Sequence, residues 1–128
     1  MGIPEDSMIA EPVRFVEKPW GSELWVAVTD HYALKIIAIK AGHRSSLQFH
    51  REKHEHIYVD AGRVKVEFTG RDNKLVSHVC GPGTILEHSP GELHRLEALE
   101  DVRLIEVQTP YLDDVIRVED DYARGTNE

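Results

Sequence analysis

Between Trp20 and Gln108, apolar and polar residues alternate in short runs, and no 12-residue window repeats its apolar positions at helical spacing. In RVKVEF, Val64, Val66 and Phe68 alternate with Lys65 and Glu67, the period of two expected of a half-buried strand. ALKIIAIK (33–40) closes at Ala41-Gly42, and EHIYVDAG runs through Gly62 into RVKVEF. TGRDNK (69–74) reads as a loop or hairpin turn, KLVSHV as a further short strand, GPG (81–83) as a breaker and VRLIEVQ (102–108) as the last clear strand. Many short strands at this spacing predict an all-β sandwich, barrel or jelly roll. The ends differ from this pattern. Residues 1–12 read as a loose or strand-exchanging arm ahead of a single domain over 13–128, and YLDDVIRVEDDYAR predicts a short terminal helix with Leu112, Val115 and Ile116 facing the body.

The same period of two sorts the candidate metal ligands in SSLQFHREKHEHIYVDAG. If LQFH is a strand, Gln48 and His50 share one face and Leu47 and Phe49 the other. A reversal through REKH then returns Glu55 on the inward row of Ile57 and Val59, while His54, His56, Tyr58 and Asp60 face outward. A fourth ligand comes from elsewhere in the chain, and His94 is best placed, delivered to the start of a strand by the Pro90-Gly91 turn. One amide oxygen, two imidazoles and one carboxylate suit a single divalent Zn, Mn, Fe, Co or Ni ion with positions left open. HREKH is not the zincin motif HExxH, because its acid, Glu52, sits one place late and the stretch lacks a helical apolar face.

Composition narrows the function classes. The 128 residues suffice for one core, and 23 acidic against 15 basic residues give a formal charge of -8, which repels a phosphate backbone and argues against a nucleic-acid partner. No apolar run approaches the ~20 residues of a membrane span, and the acidic start MGIPEDSMIAEP is unlike a signal peptide. Gly2 lacks the correctly spaced Ser or Thr of a myristoylation motif, since Asp6 takes that place. The lone Cys80 fits a structural role in a reducing compartment, so a cytoplasmic protein is expected.

KPWGSELW (18–25), the lysine of HYALKIIAIKAG, SLQFH, EHIYVDAG, HRLE (94–97), IEVQ (105–108) and the tail YLDDVIRVEDDYAR together carry a resemblance. Over Val16 to Arg124 the chain resembles the cupins, specifically the cupin domain of bacterial mannose-6-phosphate isomerases fused to GDP-mannose pyrophosphorylase. The resemblance implies a double-stranded β-helix (a jelly-roll barrel) holding one metal through Gln48, His50, Glu55 and His94. It also implies that Ser46, Lys53 and Arg117 lie near substrate, with Lys35 a further candidate from the preceding strand; Trp20, as a large aromatic, is a candidate wall of the pocket against sugar. Where that family commonly has His-His-His-Arg-Ala-Glu-His-Trp, this chain has His50-Arg51-Glu52-Lys53-His54-Glu55-His56-Ile57, so the metal set is kept in a changed surround. The function implied is a metal-dependent sugar-phosphate isomerase or epimerase, with Lys53 or Lys35 as cation or proton carrier and Arg117 as a clamp on phosphate or hydroxyls. The alternatives are a non-catalytic sugar- or metabolite-binding cupin and a metal-dependent oxygenase. A homodimer is expected, because jelly rolls often hide a sheet edge or face that way.

Overall fold

The computed structural model describes residues 8–69 and 72–124. Eleven strands appear among them: β1 (Arg14–Lys18), β2 (Gly21–Val28), β3 (Ala33–Ile39), β4 (Leu47–Phe49), β5 (Glu55–Ala61), β6 (Val64–Thr69), β7 (Leu75–Cys80), β8 (Ile85–His88), β9 (His94–Ala98), β10 (Val102–Gln108) and β11 (Ile116–Glu119). They form two antiparallel sheets, of order β1-β2-β3-β10-β5-β8 and β11-β4-β9-β6-β7. The core lies between them: Ile37, Val59 and Leu104 from the larger sheet pack with Val64, Val66 and Leu96 from the smaller. This is the expected all-β jelly roll.

Alternation places the side chains as the sequence suggests. In β5, Glu55, Ile57 and Val59 are buried while His56 and Tyr58 are exposed. Gly62 makes the turn from β5 to β6 at φ +84°, and a Cβ there would also collide with the Asp101 carbonyl, so only glycine fits.

Two features depart from expectation. The terminal helix is absent: no helix forms in 111–124, and β11 instead pairs with β4, Ile116 opposite Phe49 and Arg117 opposite Gln48. The open edge of β4 offers backbone partners that a helix over these residues would leave unmet, and Leu112, assigned to the buried face of that helix, is exposed. The second is β1, which extends the larger sheet through a segment that the alternation did not mark as strand. Of the expected arm, residues 1–7 lie outside the described residues and Met8–Pro12 carry no strand. No helix among the described residues is long and apolar enough to cross a membrane.

Register divides the inner face of the larger sheet into rows, because directly paired residues present their side chains on the same side. Glu23, Ile37, Leu104 and Val59 make one row; Trp25, Lys35, Glu106 and Ile57 the next; Ala33, Gln108, Glu55 and His88 the last. Polarity rises towards that last row, so the charged groups collect at one end of the sandwich.

Candidate metal centre and its cavity

The smaller sheet supplies a matching polar row in which Arg117 pairs with Gln48 and Gln48 with His94. His50 follows β4 directly, and Glu55 opens β5 after the four-residue reversal. Ligand atoms of His50, Glu55 and His94 all lie within 4.8 Å of one another, and all three residues are buried. They line, with Gln48, a cavity of about 160 Å³.

Backbone carbonyls fix both imidazoles. Nδ1 of His50 lies 2.6 Å from the Asp114 carbonyl and Nδ1 of His94 2.9 Å from that of Glu92. A carbonyl only accepts, so each Nδ1 carries the proton and each Nε2 keeps a free lone pair. The Nε2 of His50 is buried without a hydrogen-bond partner; its nearest carboxylate oxygen, Glu55 Oε1, is 3.5 Å away and out of hydrogen-bond geometry. Burial, chiefly, pulls His50 down to about 4 and His94 to about 3, which keeps both neutral near pH 7. Burial, the largest single influence, opposes the charge of Glu55, but the Lys53 ammonium and the His88 hydrogen bond together outweigh it and hold the carboxyl well below the usual range. Two neutral imidazoles with inward lone pairs and one ionised carboxylate are a donor set that fits a divalent ion.

Around this centre runs a ladder of alternating buried charge. Lys53 Nζ sits 2.9 Å from Glu55 Oε1 and 3.3 Å from Glu106 Oε2. Lys35 Nζ lies 3.8 Å from that same Glu106 oxygen and 3.0 Å from Glu23 Oε2, and 4.7 Å above the Trp25 ring. Although burial opposes its charge, Glu106 and Glu55 raise the Lys53 pKa, so Lys53 stays protonated. Of the two roles the sequence offers Lys53, cation and proton carrier, this direction favours the cation. Glu106 moves the opposite way for a carboxyl: burial first, then the Glu55 charge, push it up.

The remaining expected residues take distinct places. Arg117 lines the cavity with its Nε buried and unpartnered, and burial together with Arg124 lowers its pKa, the mark of a guanidinium short of counter-charge. Trp20 lines the cavity while packing in the hydrophobic core, so it serves as a wall from the inside. Ser46 is fully buried and stands behind the wall, donating to Gln48 Oε1 at 2.6 Å; Ser45, not Ser46, lines the cavity. His54 and His56 face outward beside Glu87, away from the centre.

Glu23, His88, Glu106 and Asp114 were not anticipated. Glu106 and Glu23 carried a usable signal, since each occupies an inward position of an alternating strand where an apolar residue is normal. His88 carried none, because its place opposite Glu55 depends on the pairing of β5 with β8, residues distant in sequence.

The family described as mannose-6-phosphate isomerase C-terminal matches residues 5–120. This chain belongs to that family. Its fold is the cupin fold seen in this family. Among curated members, the mannose-1-phosphate guanylyltransferase of Escherichia coli (strain K12) is 37% identical over 116 residues, 87% of this chain and 23% of that one. The mannose-1-phosphate guanylyltransferase ManC of Salmonella typhimurium is 34% identical over 119 residues, again 87% of this chain and 23% of that one. The isomerase-family segment therefore spans under a quarter of these relatives. Among solved structures, the capsular polysaccharide assembling protein CapF from Staphylococcus aureus superposes with a TM-score of 0.74 at 16% identity, covering 91% of this chain and 34% of that one, a likeness of fold.

Proposed function

We propose that the chain holds one divalent metal ion, of the Zn, Mn, Fe, Co or Ni group, through Gln48, His50, Glu55 and His94, and isomerises a sugar phosphate between aldose and ketose forms. The observation that carries this reading is the buried, partnerless Nε2 of His50, converging with Glu55 and His94 beside a cationic cavity wall. The family description and the sugar-phosphate chemistry in the relatives' names support the substrate class.

The bound ion would supply Lewis acidity towards a carbonyl or hydroxyl oxygen. The chain's own residues do the rest. Lys53 and Lys35 set fixed positive charge behind the developing enediolate, stabilising it in a site shielded from water. Arg117, short of an anion, binds the phosphate or a hydroxyl pair. Glu106, raised and lining the cavity, is the group placed to take a proton from one carbon and return it to its neighbour. Ser46 fixes the Gln48 amide rather than touching substrate. A second copy of the chain covers the outer face of the larger sheet, where an apolar row crosses all six strands.

Metal analysis of the purified protein, joined to a screen of aldose and ketose phosphates, tests this. Turnover that a chelator abolishes, that the metal restores and that Gln48→Ala loses is the expected result. Tight sugar-phosphate binding with no turnover would reduce the protein to a binding module, and metal-dependent oxygen uptake would replace the isomerase reading altogether.

A further inference from the structure

His88 lies outside the expected ligand set, yet it is only 5% exposed and touches two members of that set. Its Nδ1 is 3.0 Å from Glu55 Oε2, and its ring stacks on His94 with centroids 3.9 Å apart and planes within 6°. The stacking excludes one role. An imidazole ligates in the plane of its ring, and near-parallel planes do not meet at one ion, so His88 does not share an ion with His94. The His50 and His94 planes, 41° apart, do intersect.

We infer that His88 is a positioning residue for the metal centre, clamping the Glu55 carboxylate by hydrogen bond and the His94 ring by stacking so that both ligands are preset before an ion arrives. The inference rests on the metal reading above. Lys53 takes one oxygen of Glu55 and His88 the other, which removes rotation about the terminal carboxylate bond. Facing a carboxylate that only accepts, Nδ1 of His88 is the donor. Its contacts differ from those of the other ligand-orienting groups, because His50 and His94 are each held by a backbone carbonyl whereas Glu55 depends on side chains alone. A side chain is replaceable without disturbing the strand, so the clamp can be removed selectively.

The experiment is a competition titration of Co(II) against a chromophoric chelator, with the Co(II) ligand-field spectrum as an independent readout, on wild type and two variants. His88→Phe keeps the stack and loses the donor; His88→Asn keeps a donor at the Nδ1 position and loses the stack. Loss of a group that orients a ligand weakens metal binding about 10–100-fold. The expected result is a loss of that size with a changed spectrum in His88→Phe, and a smaller loss in His88→Asn, with the metal-free proteins melting cooperatively. Wild-type affinity and spectrum in His88→Phe would overturn the inference while leaving the metal reading intact. Failure of the wild type to bind any ion would instead overturn both, so the two failures are distinguishable. If His88→Phe melts without cooperativity, His88→Asn decides alone: a spectrum and affinity unlike wild type support positioning, and identity with wild type refutes it.

Discussion

Lys53 is the residue on which the buried charges balance. It is 6% exposed and meets two carboxylates, Glu55 and Glu106, that are each 3% exposed. Substituting Lys53→Met takes the ammonium from Glu55 and leaves Glu106 with Lys35 at 3.8 Å, and breaking a buried pair of this kind costs about 3–5 kcal/mol. Thermal or urea denaturation of the metal-free protein is expected to show that loss, and adding Glu106→Gln is expected to recover part of it by removing one of the two like charges. A Lys53→Met protein as stable as wild type would mean that Glu55 and Glu106 are solvated or protonated without help. At this scale the period of two was enough to assign Glu55 inward and His54 and His56 outward. Glu23 and Glu106 are marked only as acids at inward positions; what holds them is visible only in the fold, where Lys35 meets Glu106 through strands about seventy positions apart.

Among the elements, the reversal between β4 and β5 depends on a loop that the sequence assigned to a helix. The Asp114 carboxylate accepts from the backbone N–H of Arg51 at 3.1 Å, Glu52 at 2.7 Å and Lys53 at 2.9 Å, while its own carbonyl orients His50. Burial works against its charge, but these N–H groups outweigh it and hold the carboxyl below the usual range. A depressed carboxyl contributes stability that is complete above the unfolded value, near pH 3.9, and fades as pH falls through the lower folded value. Asp114→Ala is therefore expected to cost about 1–3 kcal/mol at neutral pH, to speed hydrogen exchange at residues 51–53, and to lose less than wild type does on acidification below about pH 4. Unchanged exchange in the reversal would show that the hairpin holds itself. The strands read correctly from the sequence were those with internal alternation, such as β6 and β10. The tail's apolar spacing suits one face of a helix equally well, and only the vacant edge of β4, a partner more than sixty residues away, decides for strand.

Across the whole molecule, the two faces of the larger sheet have opposite tasks. Its inner face grades from apolar core to charged site, whereas its outer face carries a continuous apolar row, Phe15, Leu24, Ile36, Ile105, Tyr58 and Ile85, one residue from each of the six strands in register. Val107 and Val26 widen it, and Ile85 is 66% exposed. At strand spacings of about 4.8 Å the row is roughly 24 Å long, on the scale of a face that another protein surface covers rather than of scattered surface residues. A two-fold axis lying in the interface, parallel to the sheet and above the boundary between β3 and β10, would lay the row of one copy along that of the other, and the net charge of -8 favours an apolar contact over any contact between charged surfaces. Sedimentation velocity at micromolar concentration is expected to show a dimer, and Tyr58→Lys with Ile85→Lys a monomer. Because both side chains point away from Glu55 and its neighbours, the double variant should keep wild-type metal affinity. A wild-type chain that stays monomeric at ~100 μM, well above the weakest contacts a face of this size sustains, would assign the row to a different occupant. In relatives nearly four times as long, the remaining chain is the first place to look for it.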